Sequence, residues 1–461
     1  MNDQGPYFRW ATAIGVFIAL FVVAFLRVPK AAAVPSYARQ TGFACRACHY
    51  TPPELTALGR TFKLNGYTIA GKPTVTSPKT PKQSGLMILE AFPLSVLFET
   101  SFTSTQSPQP GTQNGNFQFP QDASLFLAGA WSQHVGSFVQ VTYHTSSDHF
   151  SWDNTDIRYA NSTKLFQKDL VYGITLNNNP TVEDLWNSTP AWGYPWILSN
   201  AAPLPTATAI INGRLAQDVA GIGAYGMWNN HLYLAGAAYR TQHLAGGEPT
   251  SGGALNIRGV APYWRVAWQQ TTKNNIFEVG TYGIQVKSSP SAITGLEDSY
   301  TDWAVDFQYD RTIPRFGGDV FSLRGTYIHE NSSLLATNAN ESASVIRHHL
   351  NTVQANAEYH FGDRYSATVG VFNTTGTPDF LLLNPGQTLI TGPTPLTGSA
   401  NGDPRSNGYI VNISWWPVQN IDLAFQYTGY LRFNGAGTNY DGSGRNAGAN
   451  NTVYLLARFT F

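Results

Sequence analysis

The chain has 461 residues, of which 42% are hydrophobic, 13% aromatic and only 12% charged. This length allows a large folded structure, while the low charge together with 43 Gly, 12 Trp and 23 Tyr argues against an ordinary cytoplasmic enzyme. Lys plus Arg and Asp plus Glu both number 28, so no nucleic-acid partner is expected, and two cysteines are too few for a disulfide scaffold. A secreted all-β protein and a membrane β-barrel remain.

The chain begins with one apolar run. Arg9 precedes the run Trp10 to Leu26, and Arg27, Lys30 and three alanines follow it. This order of a charged region, an apolar region and small residues is typical of a secretory signal peptide, here residues 1–33. The alternative is a retained membrane anchor, since the run is long for a signal peptide and short for a membrane span.

Directly after the predicted cleavage site, Cys45, Cys48 and His49 form the motif C-x-x-C-H. The two thiols have the spacing that binds the two vinyl groups of a c-type haem, and the following histidine binds the iron as its proximal ligand. A redox disulfide lacks a thioredoxin-like context here, and a zinc site lacks further nearby ligands. The motif therefore predicts one covalent haem c.

The haem motif is followed by a short predicted helix. Pro53 suits a first helical position, apolar residues recur every three or four positions, and Asn65-Gly66 closes the helix. The predicted haem-binding segment, residues 34–70, is too small to form a conventional soluble cytochrome, so other protein must cover the haem. Residues 71–85 are predicted to be a linker.

From residue 86 to 461 the sequence alternates with period 2, as in β-strands. Trp303, Val305 and Phe307, for example, alternate with polar residues. Sixteen strands are predicted, at about 87–103, 121–132, 137–147, 152–163, 166–178, 215–229, 231–243, 256–270, 276–289, 300–311, 319–332, 348–361, 365–376, 406–417, 421–434 and 451–461.

Connection lengths decide between a sandwich and a barrel. Short turns alternate with long polar loops, notably 179–214, 333–347, 377–405 and 435–450. This layout indicates an antiparallel transmembrane barrel of the bacterial outer membrane, with extracellular loops and both chain ends on the periplasmic side. The fold expected is all-β, about sixteen strands, with a small helical haem segment in the lumen.

Two further residue sets follow from this layout. Aromatics near strand ends, Trp415 and Trp416 among them, fit interfacial girdles against lipid. A charged set has the parity of lumen residues and predicts ion pairs that pack the haem segment against the wall: Asp156, Arg158, Arg265, Asp306, Asp310, Arg324, Glu358, Arg432 and Arg458. The alternative is that its carboxylates line a route for Fe(II).

A haem inside a barrel would be a one-electron carrier within an insulating membrane, which predicts an electron conduit. The distal iron ligand is left open by the sequence. After signal removal only Met87 and Met227 remain as thioethers, and Met87 is favoured because it lies just after the linker. His144 and His360 also have inward parity, although a hydrogen-bonded lumen role is the more common one for such histidines.

These motifs carry a resemblance to a known family. Ala38-Arg39-Gln40-Thr41-Gly42 before the C-x-x-C-H motif, then Glu54-Leu55-Thr56, Gly59-Arg60 and Phe62-Lys63-Leu64-Asn65-Gly66-Tyr67, followed by a porin, resembles the outer-membrane monohaem cytochrome-porin fusions that act as Fe(II) oxidases in iron-oxidising bacteria. The motif match covers about 35 residues. The resemblance implies an iron:cytochrome c oxidoreductase in which extracellular Fe(II) is oxidised and a periplasmic c-type cytochrome accepts the electron.

Two other functions are also compatible with the sequence. One is a conduit that runs outward and reduces extracellular acceptors. The other is a substrate-specific porin whose haem-bearing plug gates or seals the pore.

Overall fold

The computed structural model describes residues 35–69, 93–109, 112–188, 198–242, 256–290, 295–314, 318–384 and 398–461, and the backbone of 74–76 and 87–89. The predicted signal peptide, residues 1–33, lies outside the described residues, as does most of the predicted linker. In the part of the chain that is described, no helix combines the length and the apolar character needed to cross a membrane.

Sixteen antiparallel strands form one closed barrel, in which the last strand pairs with the first. The barrel strands are β3 Leu94–Thr105, β4 Asn116–Ala130, β5 Val135–His144, β6 His149–Leu165, β7 Lys168–Asn177, β8 Val219–Trp228, β9 Leu232–Thr241, β10 Ala261–Thr271, β11 Asn275–Ser288, β12 Asp298–Ile313, β13 Asp319–Leu334, β14 Arg347–Phe361, β15 Tyr365–Gly376, β16 Ser406–Val418, β17 Ile421–Arg432 and β18 Thr452–Thr460. Each predicted strand has a counterpart, so the predicted fold class and strand number are confirmed.

The first predicted strand begins later than expected. Residues 87–89 form β2, Met87–Leu89, which pairs with β1, Thr74–Thr76, in a separate two-stranded sheet. The barrel wall starts at Leu94, directly after Pro93. Proline has no backbone N–H to donate to a sheet and is therefore found mainly at strand starts, edges and bulges.

The two faces of the strands differ as the alternation predicted. On β10, Trp264, Val266 and Trp268 are 40%, 39% and 42% exposed on the outer surface, whereas Arg265 between them is 0% exposed and faces the lumen. Successive strand side chains point to opposite faces, so one run of sequence supplies both an apolar exterior and a polar interior. The lumen has the charged residues and the exterior has the large apolar ones.

Trp416 is the exception among the predicted girdle residues. It is 5% exposed and faces the lumen, while Trp415 before it pairs across the outer side with the ring of Tyr365. Adjacent strand residues necessarily point to opposite faces, so both tryptophans cannot belong to one girdle. The girdle prediction was wrong for Trp416.

Short turns and long connections alternate around the barrel. Two residues join β6 to β7 and two join β16 to β17 at one end, whereas residues 178–218 and 377–405 connect strands at the opposite end. The exception is the four-residue turn 145–148, which lies at the long-loop end. Both the start of β3 and the end of β18 lie at the short-turn end, because the strand number is even.

Candidate functional site

The haem-binding segment predicted from sequence lies inside the barrel. It contains three short helices, α1 Ser36–Thr41, α2 Cys45–Cys48 and α3 Ala57–Leu64. Helix α3 begins after Thr56, whose hydroxyl accepts a hydrogen bond from the Gly59 N–H at 3.2 Å. Pro53, the sequence-predicted first helical residue, precedes this cap in a turn, so the helix starts later than predicted. We refer to residues 35–69 as the lumen segment.

Hydrogen bonds and ion pairs join the lumen segment to strands on all sides of the barrel. The Ser36 N–H donates to Ser95 Oγ at 2.6 Å, Tyr37 Oη donates to the Ser137 carbonyl at 2.7 Å, and the Ala130 N–H donates to Gln40 Oε1 at 3.0 Å. Further contacts reach β6 through Asp156, β8 through Tyr225, β12 through Asp310, β13 through Arg324 and β14 through Glu358. The segment is thus a plug fixed to opposite walls.

Buried charges provide further attachments of the lumen segment. Glu54, 3% exposed, pairs with Arg324 and accepts a hydrogen bond from Asn356 Nδ2 at 3.3 Å. Arg60 lies 3.6 Å from Asp310, and Tyr67 Oη donates to Asp156 at 2.5 Å. The structure therefore brings together the predicted lumen charges Asp156, Asp310, Arg324 and Glu358 with partners on the plug. Arg265 instead binds Asp184, Glu278 and Asp306.

The β7–β8 connection also enters the lumen, although it was predicted to be an extracellular loop. Its first part forms helix α4, Pro180–Glu183, and the side chain of Lys63 on α3 donates to the Asp184 carbonyl at 2.6 Å and to Asn187 Oδ1 at 3.0 Å. Its later part is held by backbone N–H groups of Ile210 and Ile211, which donate to Glu330 and Asp302 at 2.6 and 2.9 Å. An extracellular loop has no need of apolar residues. The apolar residues in this connection were therefore the sequence feature that could have indicated its burial in the lumen.

The two thiols of C-x-x-C-H lie on one turn of α2 and are not bonded to each other. Cys45, Cys48 and His49 all line a cavity of about 560 Å³ inside the barrel, which is within the size range of cofactor sites. Strands β3, β4 and β5 contribute to the same cavity, with Leu97, Phe126 and Phe138 among its lining residues.

The electrostatics of the motif favour neutral groups. Burial raises the pKa of Cys48 to about 11, with a smaller contribution from Cys45, so both residues are thiols at neutral pH. Burial lowers the pKa of His49 to about 4, assisted by the charge of Arg458 and opposed by the Glu54 carbonyl. A neutral imidazole is the form that binds iron.

These residues fit a c-type haem. The two thiols border a cavity large enough for a cofactor, and the buried imidazole of His49 lines the same cavity. Two thiols and a neutral imidazole are the groups that covalent haem attachment and iron binding need. Cys45 and Cys48 would hold the porphyrin covalently and His49 would hold the iron.

The candidates for the distal ligand are placed differently. Met87 begins β2, but its side chain lies outside the described residues, so its predicted role stays a prediction. Met227 is 3% exposed in an apolar cluster with Leu64 and Trp186. His360 Nδ1 accepts from Arg46 at 2.7 Å, as a hydrogen-bonded lumen residue.

His144 is the predicted histidine that lines the cavity together with His49. Its Nδ1 lies 2.7 Å from Asp122 Oδ1, and its side chain is 31% exposed. Among the described residues, no group of three or more His, Cys, Asp or Glu side chains is placed to hold a metal ion.

Arg46, between the two cysteines, fixes α2 to the wall, a role that was not predicted from the sequence. Its guanidinium lies 4.4 Å from the ring centre of Trp416 and donates to the Gly362 carbonyl at 3.3 Å. Stacking on an aromatic face and donation to fixed acceptors suit a planar guanidinium. Trp416 has a lumen-facing position in the strand alternation, and this was the sequence feature that could have indicated its contact with Arg46.

Gly136 on β5 allows the lumen segment to lie directly against the wall. A Cβ atom at Gly136 would overlap the carbonyl oxygen of Gly66 and lie 3.1 Å from Tyr67 Cβ. Gly136→Ala is expected to displace the end of the segment at a cost of about 1–3 kcal/mol. Faster tryptic cleavage at Arg60 and Lys63 would measure this. Gly236→Ala, where the nearest atom is 3.8 Å away, is the control and should match the wild type.

Glu183 on α4 gives the inward connection a pH dependence. Burial raises the pKa of Glu183 to about 8, against the opposing charge of Arg158. Because this pKa lies above the ordinary glutamate value of 4.5, the folded protein binds a proton that the unfolded chain releases. The contribution of Glu183 to stability is therefore complete below pH 4.5 and is lost as the pH rises through about 8.

Glu183→Gln should consequently lose less stability than the wild type across this window. Thermal unfolding of the barrel in detergent at a series of pH values measures the effect. Glu297→Gln, which alters an exposed pair with Lys287, is the control and should keep the wild-type slope. Parallel profiles for Glu183→Gln and the wild type would contradict the prediction.

Comparisons with known proteins concern the fold. No family model and no curated protein matches the chain. The barrel is similar to the outer-membrane channel DcaP of Acinetobacter baumannii at 13% identity, with 84% of this chain and 100% of that chain covered and a TM-score of 0.44. It is similar to an anion-selective porin from Comamonas acidovorans at 11% identity, with 80% of this chain and 98% of that chain covered and a TM-score of 0.44. It is also similar to the outer-membrane protein OmpT of Vibrio cholerae at 9% identity, with 80% of this chain and 96% of that chain covered and a TM-score of 0.41.

Proposed function

We propose that this chain is an outer-membrane electron conduit that binds one covalent haem c in the lumen of its barrel. The observation that carries the proposal is the position of Cys45, Cys48 and His49, which line a cavity inside a closed barrel. Electron donors and acceptors would reach the haem through the lumen, while the outer surface of the barrel stays apolar.

The barrel itself supports the membrane location. A closed sheet satisfies every backbone hydrogen bond in lipid, and the outward side chains of β10, β12 and β16 are large and apolar. In barrels of this kind the short turns are periplasmic and the longer loops extracellular. We therefore place the lumen segment, which starts at the short-turn end, toward the periplasm and the β7–β8 connection toward the exterior.

The chemistry needs no general acid, base or nucleophile. A c-type haem bound at Cys45, Cys48 and His49 would supply reversible one-electron transfer. The chain's own contributions are the neutral imidazole of His49, the enclosure of the cavity by β3 to β6, and the ion pairs of Glu54 and Arg60 that hold the plug in the lumen.

The proposed donor is extracellular Fe(II), and the proposed acceptor is a periplasmic c-type cytochrome. Both come from the resemblance of the lumen segment to Fe(II)-oxidising cytochrome-porin fusions. The cavity adds one supporting feature, since Asp122, His144 and Asp153 line it on the side of the long loops. Carboxylate and imidazole groups favour approach of a ferrous ion, and transient contact is sufficient for electron transfer.

The proposal is tested with protein matured in a host that attaches haem c. A pyridine haemochrome spectrum should show one haem per chain, and anaerobic mixing of the oxidised protein with Fe(II) should reduce it. Reconstitution in liposomes, with Fe(II) outside and an oxidised cytochrome c inside, should then reduce the enclosed cytochrome. Haem without any reduction by Fe(II) would remove the iron donor from the proposal.

The second candidate is a substrate-specific porin whose plug has a haem. The cavity favours it, because it extends from the lumen segment to Leu198 and Asn200 in the inward connection. Conductance in planar bilayers separates the two functions: a conduit is expected to show little ion current with haem bound, and a large persistent current would establish the porin. Reduction of the haem from the inner compartment and oxidation by an external Fe(III) complex would instead indicate a conduit that runs outward.

A further inference from the structure

The cavity beside the C-x-x-C-H motif has walls of unequal polarity. One part of the wall is apolar, where Phe126 and Phe138 pack at 5.6 Å between ring centres and Leu97 and Ala128 extend this surface. The adjacent part, reached where β18 pairs with β3, is polar, and its lining groups at the ends of β17 and β18 are Asn420, Asp422, Arg458 and Thr460. An occupant with an apolar body and a charged edge would match both sides.

Arg458 on β18 is the cation of the polar side, and part of its guanidinium is unused. Its Nε donates to Glu99 Oε1 at 2.6 Å. Its Nη1 is buried without a hydrogen-bond partner and lies 3.7 Å from Asp422 Oδ2, beyond ordinary hydrogen-bond distance. A buried charged donor in this state requires an acceptor, and the planar guanidinium fits a carboxylate best.

Asp422 on β17 is a buried acceptor without a donor, which complements the buried donor of Arg458. It is 4% exposed, and both its carboxylate oxygens are buried without hydrogen bonds. Glu99 has one oxygen bound to Arg458. The polar side of the cavity thus contains one guanidinium between two carboxylates, so Arg458 is held in place while one of its nitrogens remains available.

We propose that Arg458 binds a carboxylate group of the porphyrin attached at Cys45 and Cys48, and that the apolar surface of Phe126, Ala128 and Phe138 covers the macrocycle. This inference rests on the proposed function, because it assigns a residue to the same haem. Haem has two carboxylate groups on an otherwise apolar ring, which is the polarity that this cavity offers. Arg458 would then fix the orientation of the cofactor and place a positive charge beside it, while Asp422 places a negative one.

The test uses haem-loaded, full-length protein and measures the midpoint potential by titration against redox dyes. Arg458→Gln removes a positive charge beside the haem, which favours the oxidised state, so the potential should fall by about 59 mV or more, equal to tenfold in the one-electron equilibrium constant. Asp422→Asn removes a negative charge and should shift the potential in the opposite direction. Arg405→Gln is the control, since Arg405 pairs with Asp403, has an exposed side chain and is not among the residues that line the cavity.

Resonance Raman spectra supply the second measurement. The propionate bending band should move in Arg458→Gln and also in Arg458→Lys, which keeps the charge but loses the planar fork, and it should stay fixed in Arg405→Gln. If Arg458→Gln fails to assemble, Arg458→Lys and Asp422→Asn still decide the question.

Unchanged bands in both Arg458 variants would overturn the inference and leave Arg458 as an ion-pair partner of Glu99 and Asp422 only. Failure of the proposed function is distinguishable from this result. It would appear in the wild type, as missing covalent haem or as a large open-channel current.

Discussion

The double substitution Cys45→Ser and Cys48→Ser is expected to remove covalent haem completely. Thioether attachment needs both thiols, and these are the two cysteines of the whole chain. The pyridine haemochrome spectrum and haem staining after denaturing electrophoresis measure the loss. The barrel should still assemble, because α2 is held to the wall by Arg46 rather than by either cysteine. Heat-modifiable migration on gels reports that assembly.

His49→Ala and His134→Ala form the matched pair for the iron ligand. His49 lines the cavity, whereas His134 lies in the β4–β5 turn with Nδ1 at 3.1 Å from the Ala160 carbonyl oxygen. His49→Ala should change the haem spectrum, and His134→Ala should leave it as in the wild type.

Covalent haem that persists in the double cysteine variant would contradict the assignment of Cys45 and Cys48.

Arg324→Ala is expected to release the lumen segment from the wall. The substitution removes the ion pair with Glu54, which is 3% exposed, and a contact with Asp310. Truncating one partner of a buried pair costs about 3–5 kcal/mol, because the remaining charge stays in a poorly solvated place. Tryptic cleavage within residues 35–69 should accelerate by orders of magnitude, and the single-channel conductance should rise.

Lys287→Ala is the control for this prediction. Lys287 pairs with Glu297 at 2.6 Å, but its side chain is 63% exposed. Exposed pairs contribute about 0–1 kcal/mol, so both cleavage and conductance should remain at wild-type values. Equal behaviour of Arg324→Ala and Lys287→Ala would show that the buried pair does not hold the segment in the lumen.

The wall of the barrel could be predicted well because its determinants are local. Alternation of apolar and polar residues has a period of 2 in any strand, and loop lengths follow from where the alternation stops. The strand predicted at 365–376 has the same bounds in the structure. The first strand was predicted to begin too early because residues 87–89 do form a strand, β2, which pairs with β1 instead of joining the wall.

The candidate site could be predicted only in part. The motif at Cys45, Cys48 and His49 is contiguous in the chain, so its residues were identified without knowledge of the fold. The partners of that site were not, because Trp416 and Arg458 are separated from it by more than 350 residues of sequence. Closure of the barrel, with β18 beside β3, brings them to one cavity.

The sequence by itself determined the strand number, the inward and outward faces and the motif for haem, since periodicity and spacing are properties of short stretches of chain. Only the tertiary structure decided that the β7–β8 connection turns into the lumen, that Glu54 meets Arg324, and that the motif opens onto a cavity with an apolar and a charged wall. These are contacts between distant segments, and their free energy depends on burial and electrostatic pairing that exist only after the barrel has closed.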